Sequence, residues 1–344
     1  MNLKWKQHGL TLIELMIALA LGLFLSAGIV ALYIQSKDSF WQDEELARIQ
    51  ENGRYATQLL IREVRMAGFM GGVEKPQNIT NPASISVGND CDTDWALDAA
   101  IPLEIVDDAS ADLSGTYGCF TTDMVADTDV LAVKRVLDEA IVDNGLWHEG
   151  YSSLVADRIY MRSENRGLGL SFFATASDIP KAGDIVSPGN EDAVRADPSL
   201  GTQVNIWEYD VSLFHVAENP QGIPSLARYN LDSSGDISDR EFLVEGIEDI
   251  QYELGIDTDG DGQPERFVAA STDPPDASAG SEQLGDVAAV KIYVLARSLQ
   301  AQANEPARAM TYKLGSKTIT TNDNIQRRVF SSTAMLRNPV YVID

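Results

Sequence analysis

The feature that most limits what this chain can become is the stretch Gly9-Leu10-Thr11-Leu12-Ile13-Glu14-Leu15-Met16. It opens a run of about 25 residues, ending at Ile34, in which Glu14 is the single charged side chain. At about 1.5 Å of rise per residue, a helix of that length crosses a bilayer. Before it lies the nine-residue leader MNLKWKQHG, whose fixed charges are Lys4 and Lys6. That leader is too short for a secretory n-region with its own apolar region, and no A-x-A site follows the run at Ser26-Ala27-Gly28, so an ordinary signal peptide is disfavoured. A carboxylate five residues into a membrane segment costs roughly 2.5 to 3.5 kcal/mol, which calls for a partner or a function. Cleavage after Gly9 would supply the partner. It would leave a free amine on Leu10 and place Glu14 fifth in the mature chain, within reach of a neighbouring subunit's N-terminus.

The residues GLTLIELMIALALGLFL resemble the prepilin peptidase site of type IV pilins and type II secretion pseudopilins. The resemblance implies that the leader is cut between Gly9 and Leu10, that the new N-terminus is methylated, and that Glu14 guides docking into a growing filament. This chain departs from the family at Leu10, where Phe is usual, a difference that bears on methylation more than on cleavage.

Lys4 and Lys6 precede the apolar run, whereas Lys37, Asp38, Asp43, Glu44 and Glu45 follow it. The positive-inside rule therefore puts the N-terminus in the cytoplasm and the body in the periplasm or outside the cell. With a formal charge of −26 and no basic stripe with interleaved aromatics, the chain is not expected to bind nucleic acid directly. Cys91 and Cys119, the only cysteines, lie 28 positions apart. In an oxidising compartment they would form a disulfide, contributing on the order of 3 to 4 kcal/mol by restricting the unfolded chain. Buried free thiols are the alternative; neither cysteine has a second Cys or a His at metal-ligand spacing.

From Leu10 to about Ala67 the sequence reads as one long helix of two characters. The first half is apolar all round, with Gly22 and Gly28 as places for close packing or a bend. In the second half Leu46, Ile49, Gly53, Ala56, Leu60, Val64 and Ala67 form one apolar stripe, with Arg48, Glu51, Arg54, Arg62 and Glu63 mostly off it. Gly68, Gly71 and Gly72 end the helix. The expected organisation is a leader (1–9), a membrane or filament-core helix (10–34), its amphipathic continuation (35–72) and a β-rich head (73–344).

Residues 73–124 are expected to be a long loop region with short elements, held by the cysteine bridge. Strands are expected at Asp129–Val136, Arg158–Arg162, Leu168–Ala174, Val204–Val216, Pro224–Leu231, Phe242–Leu254, Val287–Ser298 and Arg327–Leu336. Tight turns are expected at Asn144-Gly145 and Asp232-Ser233-Ser234-Gly235. Exposed loops are expected at 188–192 and 271–281. Strands do not alternate with helices, so the fold class is α+β, a long N-terminal helix packed on a mainly antiparallel β head, and a parallel α/β fold is disfavoured. A protruding helix packed on a β-rich head is also what the pilin resemblance implies.

The acidic loop Asp257-Thr258-Asp259-Gly260-Asp261-Gly262-Gln263-Pro264-Glu265 places oxygen ligands at alternate positions, with glycines that let the chain curl, as a hard cation such as calcium requires. Asp257, Asp259 and Asp261 would give side-chain oxygens, Gln263 its carbonyl, and Glu265 a direct or water-mediated ligand. Gly262 supplies the sixth-position glycine of an EF-hand, but Val268 stands where the bidentate Glu belongs and no helix pattern flanks the loop. The motif is thus a calcium loop between strands, or a solvated Asp-Gly turn.

Around it, GIEDIQYELGIDTDGDGQPERF, GDVAAVKIYVLARS and QRRVFSSTAMLRN resemble the C-terminal part of PilW-type minor pilins, and DTDVLAVKRV, DRIYMRS and GIPSLARYNL are similar to that family as well. The resemblance implies a non-enzymatic subunit that helps initiate type IV pilus assembly and sits at or near the tip. Its implied partners are other minor pilins, the major pilin, a PilY-type tip adhesin, prepilin peptidase and the inner-membrane assembly platform. Catalytic signatures are missing: no G-x-S-x-G, Walker loop, H-E-x-x-H or Rossmann fingerprint occurs. Of the three histidines, His8 would leave with the leader, and His215 sits in the apolar Ser212-Leu213-Phe214-His215-Val216, a structural setting. Adjacent acids such as Asp138-Glu139 fit solvated faces better than an acid/base pair. The alternatives are a minor pseudopilin of a type II secretion system and, from another class, a membrane-anchored periplasmic binding protein.

Overall fold

A computed structural model describes residues 11–73, 76–92, 94–109, 117–119, 124–164, 171–177, 204–270, 287–302 and 305–338. Gly9 and Leu10 lie outside the described residues, as do the loops expected at 188–192 and 271–281 and the first part of the strand expected from Leu168. The chain divides into two compact units, residues 1–48 and 49–344.

The first unit is helical. Helix α1 (Leu12–Met66) begins here and runs without a break into the second unit. Its N-terminus is closed by Thr11 and Glu14, three residues apart. Thr11 Oγ1 accepts the Glu14 N–H (3.3 Å), and Glu14 Oε2 accepts the Thr11 N–H (2.8 Å) and hydroxyl (2.9 Å). This is the reciprocal bonding of a capping box, and it satisfies donors that a helix start leaves bare. Beyond it the apolar side chains stand out in every direction: Leu12, Leu23, Phe24, Leu25, Ile29 and Leu32 are all more than three-fifths exposed. The helix is long and apolar enough to cross a membrane, and none of the described residues buries its most apolar window. Leu46, expected on the buried stripe, is exposed, because the stripe has no surface to meet before Ile49.

In the second unit α1 continues with Ile49, Gly53, Ala56, Thr57, Leu60, Glu63 and Val64 buried, a spacing of three and four that gathers one face. Glu63 belongs to this face, contrary to the expected solvent position, because it meets a buried cation. Arg135 Nε donates to Glu63 Oε2 at 2.9 Å. The helix stops where Gly68 takes a φ of +71°, open to glycine without strain, and its N–H turns to the carbonyl of Lys134 (3.1 Å).

Fifteen strands follow among the described residues: β1 (Leu103–Ala109), β2 (Thr128–Val136), β3 (Val142–Asp143), β4 (Leu146–Trp147), β5 (Tyr160–Glu164), β6 (Ser171–Ala174), β7 (Val204–Glu218), β8 (Pro224–Asn230), β9 (Glu241–Glu245), β10 (Ile247–Ile256), β11 (Arg266–Ala269), β12 (Val287–Arg297), β13 (Arg308–Leu314), β14 (Lys317–Asp323) and β15 (Arg327–Met335). Every pairing between them is antiparallel. β7 organises the larger sheet. Its first residues pair with β3 and β5, and its last with β2 and β8, so one long strand serves two sets of neighbours. The second sheet runs β11-β10-β12-β15, and β13-β14 form a separate ribbon.

The core sits where both sheets meet the helix. Ile49, Ala56, Leu60 and Val64 pack in one cluster with Leu131, Val133, Phe214 and Val216 of the larger sheet and with Ile250, Ile292, Val294 and Ala334 of the smaller. On the other side of β2 and β7, Val130, Ala132, Val211 and Leu213 pack against Met70, Ala96 and Leu97 from the segment after the helix. β12 and β15 alternate in the same way, for Tyr293, Leu295 and Val329 face Leu314, Tyr312 and Ile319 of the ribbon.

One expectation about strands needs correction. The stretch Phe242–Leu254 is two strands, because Gly246 takes a φ of +73° close against the Arg297 carbonyl and the chain steps between sheets there. Within the region 73–124 a short element is β1, which pairs with β2 from Leu103 to Ala109. The Asn144-Gly145 turn is present, with φ of +50° and +79° joining β3 to β4, as paired positive φ values allow.

Candidate functional site

Glu14 is the one site residue of the apolar run that the described structure holds. It lies in the first turn of α1, with its carboxylate turned back on Thr11. The sequence Thr11-Leu12-Ile13-Glu14 already carries the T-x-x-E signature of that arrangement, a signal that attention to the charge alone passes over.

Cys91 and Cys119 are joined in a disulfide. Around it the chain is pinned by short-range bonds. The Cys91 carbonyl accepts the Gly118 N–H (2.5 Å), and Asp90 Oδ1 accepts the N–H groups of Cys91 (2.7 Å) and Ala96 (3.1 Å). Next to it Glu104 gathers three donors: the indole of Trp95 (3.0 Å), the Tyr117 hydroxyl (3.0 Å) and the buried Lys134 ammonium (3.2 Å). Burial holds the Lys134 amine below its ordinary pKa, opposed by Glu104. This polar knot fastens the disulfide segment to β1 and β2.

The acidic loop joins β10 to β11, and Asp257, Asp259, Asp261 and Glu265 come together there. One ligand oxygen from each lies within 4.8 Å of the others. Asp257 Oδ1 accepts the N–H of Asp259 (3.2 Å) and of Gly260 (2.6 Å), and its Oδ2 that of Gly262 (2.7 Å). Asp259 and Asp261 each accept the N–H two residues on, at 3.1 and 2.8 Å, the second of these from Gln263. Glu265 closes the ring by accepting the Thr258 N–H at 2.6 Å. Gly260 and Gly262, with φ of +80° and +84°, make the curl possible. These oxygens are hard donors suited to a calcium-sized cation, held between two strands as the flanking sequence requires.

A second charged cluster was not foreseen. Lys317, at the start of β14, reaches Asp249 Oδ2 (2.9 Å), Asp108 Oδ1 (3.1 Å) and the Asp127 carbonyl. Beside it the fully buried Asp129 accepts the N–H groups of Asp108 (2.9 Å) and Tyr252 (2.7 Å). Burial, with Asp107 and Asp108 nearby, pushes its pKa up to about 8, and burial pushes Asp249 up to about 6 against the pull of Lys317. No sequence pattern links positions so far apart.

His215 is buried and stacked on Tyr229, with ring centroids 5.0 Å apart. Burial, with Arg240 nearby, lowers its pKa to about 3, so it is neutral at physiological pH. Asp138 and Glu139 diverge, the first toward Arg62 (3.9 Å) and the second toward His148 (3.2 Å), and they share no common target.

Two family models match the sequence. One, described as type IV pilus-assembly protein W, spans residues 213–338, from the last part of β7 through β15 and including the acidic loop. The other, the prokaryotic N-terminal methylation motif, spans residues 6–30 and includes Gly9, Leu10 and Glu14. Among solved structures the chain is similar to a type IV-like pilin from Thermus thermophilus, with a TM-score of 0.35 and 11% identity over 86% of this chain and 99% of that one. No curated protein sequence matches.

Proposed function

The chain is a PilW-type minor pilin of the type IV pilus, and from that premise we propose that it works in the initiation of pilus assembly, within a complex of minor pilins at the filament tip. The observation that carries this reading is the apolar helix from Leu12 to Ile34, exposed on every side and joined to a folded β-rich unit. Such a surface is stable only in lipid or among other helices of its kind. Prepilin peptidase would cut between Gly9 and Leu10. Until assembly the helix would wait in the inner membrane, N-terminus in the cytoplasm and body in the periplasm, a direction supported by Lys4 and Lys6. Glu14 would then exchange Thr11 for the N-terminal amine of a neighbouring subunit, and the pairing of charges is what makes a carboxylate tolerable at low dielectric. The other minor pilins, the major pilin, a PilY-type adhesin and the assembly platform are the proposed partners. The role is structural, without turnover.

N-terminal peptide mass spectrometry on sheared filaments and on membranes tests this. A peptide beginning at methylated Leu10 in the filaments is expected. The same peptide confined to membranes would favour the type II secretion alternative, and an intact Met1 leader in both fractions would overturn the reading.

The acidic loop is proposed to hold calcium, supported by four carboxylates converging within 4.8 Å. Bringing that much negative charge together costs free energy that a divalent cation removes. The variant Asp259→Ala should then lower the melting temperature in calcium but not in chelator, as measured by thermal unfolding in each. An equal loss in both would leave only a turn.

A further inference from the structure

On this acidic protein one concavity is lined mainly by arginines. A notch of about 450 Å³ is bounded by Gln58, Ile61, Arg62, Arg65 and Met66 of α1, by Arg135 and Asp138 at the end of β2, and by Arg337 after β15. Arg135 forms a wall already committed, held by Glu63 at 2.9 Å and by Asp210 at 3.7 Å. Arg62 meets Asp138 at 3.9 Å, both more than two-thirds exposed, a pair worth little in water. Arg65 and Arg337 are exposed and have no carboxylate partner among the described residues. The helix dipole accounts for a cation in the last turn, and so for Arg65. It does not account for Arg337, which a different element brings to the same notch.

The order of charge along α1 suggests what fills it. Asp38, Asp43, Glu44 and Glu45 form an acidic block, and Arg54, Arg62 and Arg65 follow on an exposed face of the same helix. Packing beside the helix of a neighbouring subunit would bring an acidic block of this composition against the arginines. Glu44 is held by an exposed contact to Arg48 at 3.6 Å, so its carboxylate can be taken up at little cost, whereas Glu45 is partly buried.

We propose that this notch receives the carboxylates of an acidic helical turn on a neighbouring subunit, chemically like residues 38–45 here. The proposal rests on the filament reading, since that reading supplies parallel helices side by side. Guanidinium groups match carboxylates through paired N–H donors, and Ile61 and Met66 give the notch apolar wall beside them. The contact would add a second charge-matched point between subunits to the one the Glu14 pairing supplies in the apolar half of the helix.

The test titrates a labelled helical peptide of residues 36–51, net charge −3, into the full-length chain in detergent. The double variant Arg65→Glu, Arg337→Glu should bind it about tenfold or more weakly, as expected for losing two charge-assisted contacts. A peptide with Asp43→Asn, Glu44→Gln and Glu45→Gln should show a similar loss. Arg65→Gln, Arg337→Gln serves as a milder variant should charge reversal disturb folding. Equal binding by wild type and variants would overturn the proposal. So would arginine-dependent binding of inorganic phosphate or of phosphatidylglycerol vesicles with no binding of the peptide. Because the assay uses isolated protein, its failure leaves the filament peptide result standing, and an intact leader in cells would instead sink the premise.

Discussion

Within the chain the Glu14 carboxylate is bonded to Thr11, and a neighbouring subunit's amine would have to take it from there. The two roles separate by substitution. Glutamine keeps an acceptor for the Thr11 N–H, so Glu14→Gln retains most of the cap while losing the charge; Glu14→Ala loses both. If the intersubunit charge pair matters, both variants should insert and be processed normally yet enter filaments poorly. A lost charge-assisted hydrogen bond of about 1.5 to 3 kcal/mol corresponds to roughly a tenfold or larger drop in the variant recovered from sheared filaments. Normal incorporation of Glu14→Gln alone would mean that the cap, not the charge, is what the position provides. At this scale the sequence was legible where a rule is local. A charge in an apolar run and two cysteines in an oxidising setting both stand out on the page. Glu63 and Arg135 do not, because they meet across 72 positions and neither carries a mark that tells a buried ion pair from two solvated charges.

At the scale of elements, the helix from Ile49 onward is gripped by two sheets, and Gly53 shows how closely. A methyl group at Gly53 would come within 2.1 Å of the Phe330 ring of β15, so helix backbone and aromatic face are in direct contact. Two effects compete in Gly53→Ala. Better helix propensity stabilises by roughly 0.5 to 1 kcal/mol, while overpacking costs about 1 to 3 kcal/mol. The clash should win, giving a net loss of about 1 to 2 kcal/mol in denaturant unfolding. Adding Phe330→Leu should recover part of it, whereas a stable single variant would show that the ring swings aside freely. The same scale explains which strands could be read in advance. β2, β7, β10 and β12 are apolar because the helix and the loops cover them, and their sequences say so. β13 and β14 are largely exposed and rich in Thr and Lys, β11 has four residues, and β1 carries three acids, so none shows the pattern of a half-buried strand.

For the molecule as a whole, a formal charge of −26 makes burial of further carboxylates an important choice, and two of them set how stability depends on pH. Asp129 and Asp249 have folded pKa values raised to about 8 and about 6, from 3.8. A carboxyl raised in this way contributes stability in its neutral form. That contribution is fully present below the unfolded value and is lost as pH rises through the folded one. Asp249 therefore acts between about pH 4 and 6, and Asp129 from about pH 4 to 8. Asp232 and Asp323 shift the other way. The Ser234 hydroxyl holds the first low and the Arg327 guanidinium the second, and their contribution fades as pH falls below the unfolded value. The profile should thus rise from strong acid to a maximum at about pH 4 and decline from there toward pH 8, as measured by denaturant unfolding across that range. Asparagine at position 129 isolates the upper limb. It offers one acceptor where the Asp108 and Tyr252 N–H groups need two, so Asp129→Asn should cost about 1 to 3 kcal/mol at pH 5. Having no proton to lose, it should also flatten the decline between pH 6 and 8. An unchanged slope in that window would place the titration elsewhere, and the network around Lys317 would then be a fixed clasp of the ribbon rather than a source of pH dependence.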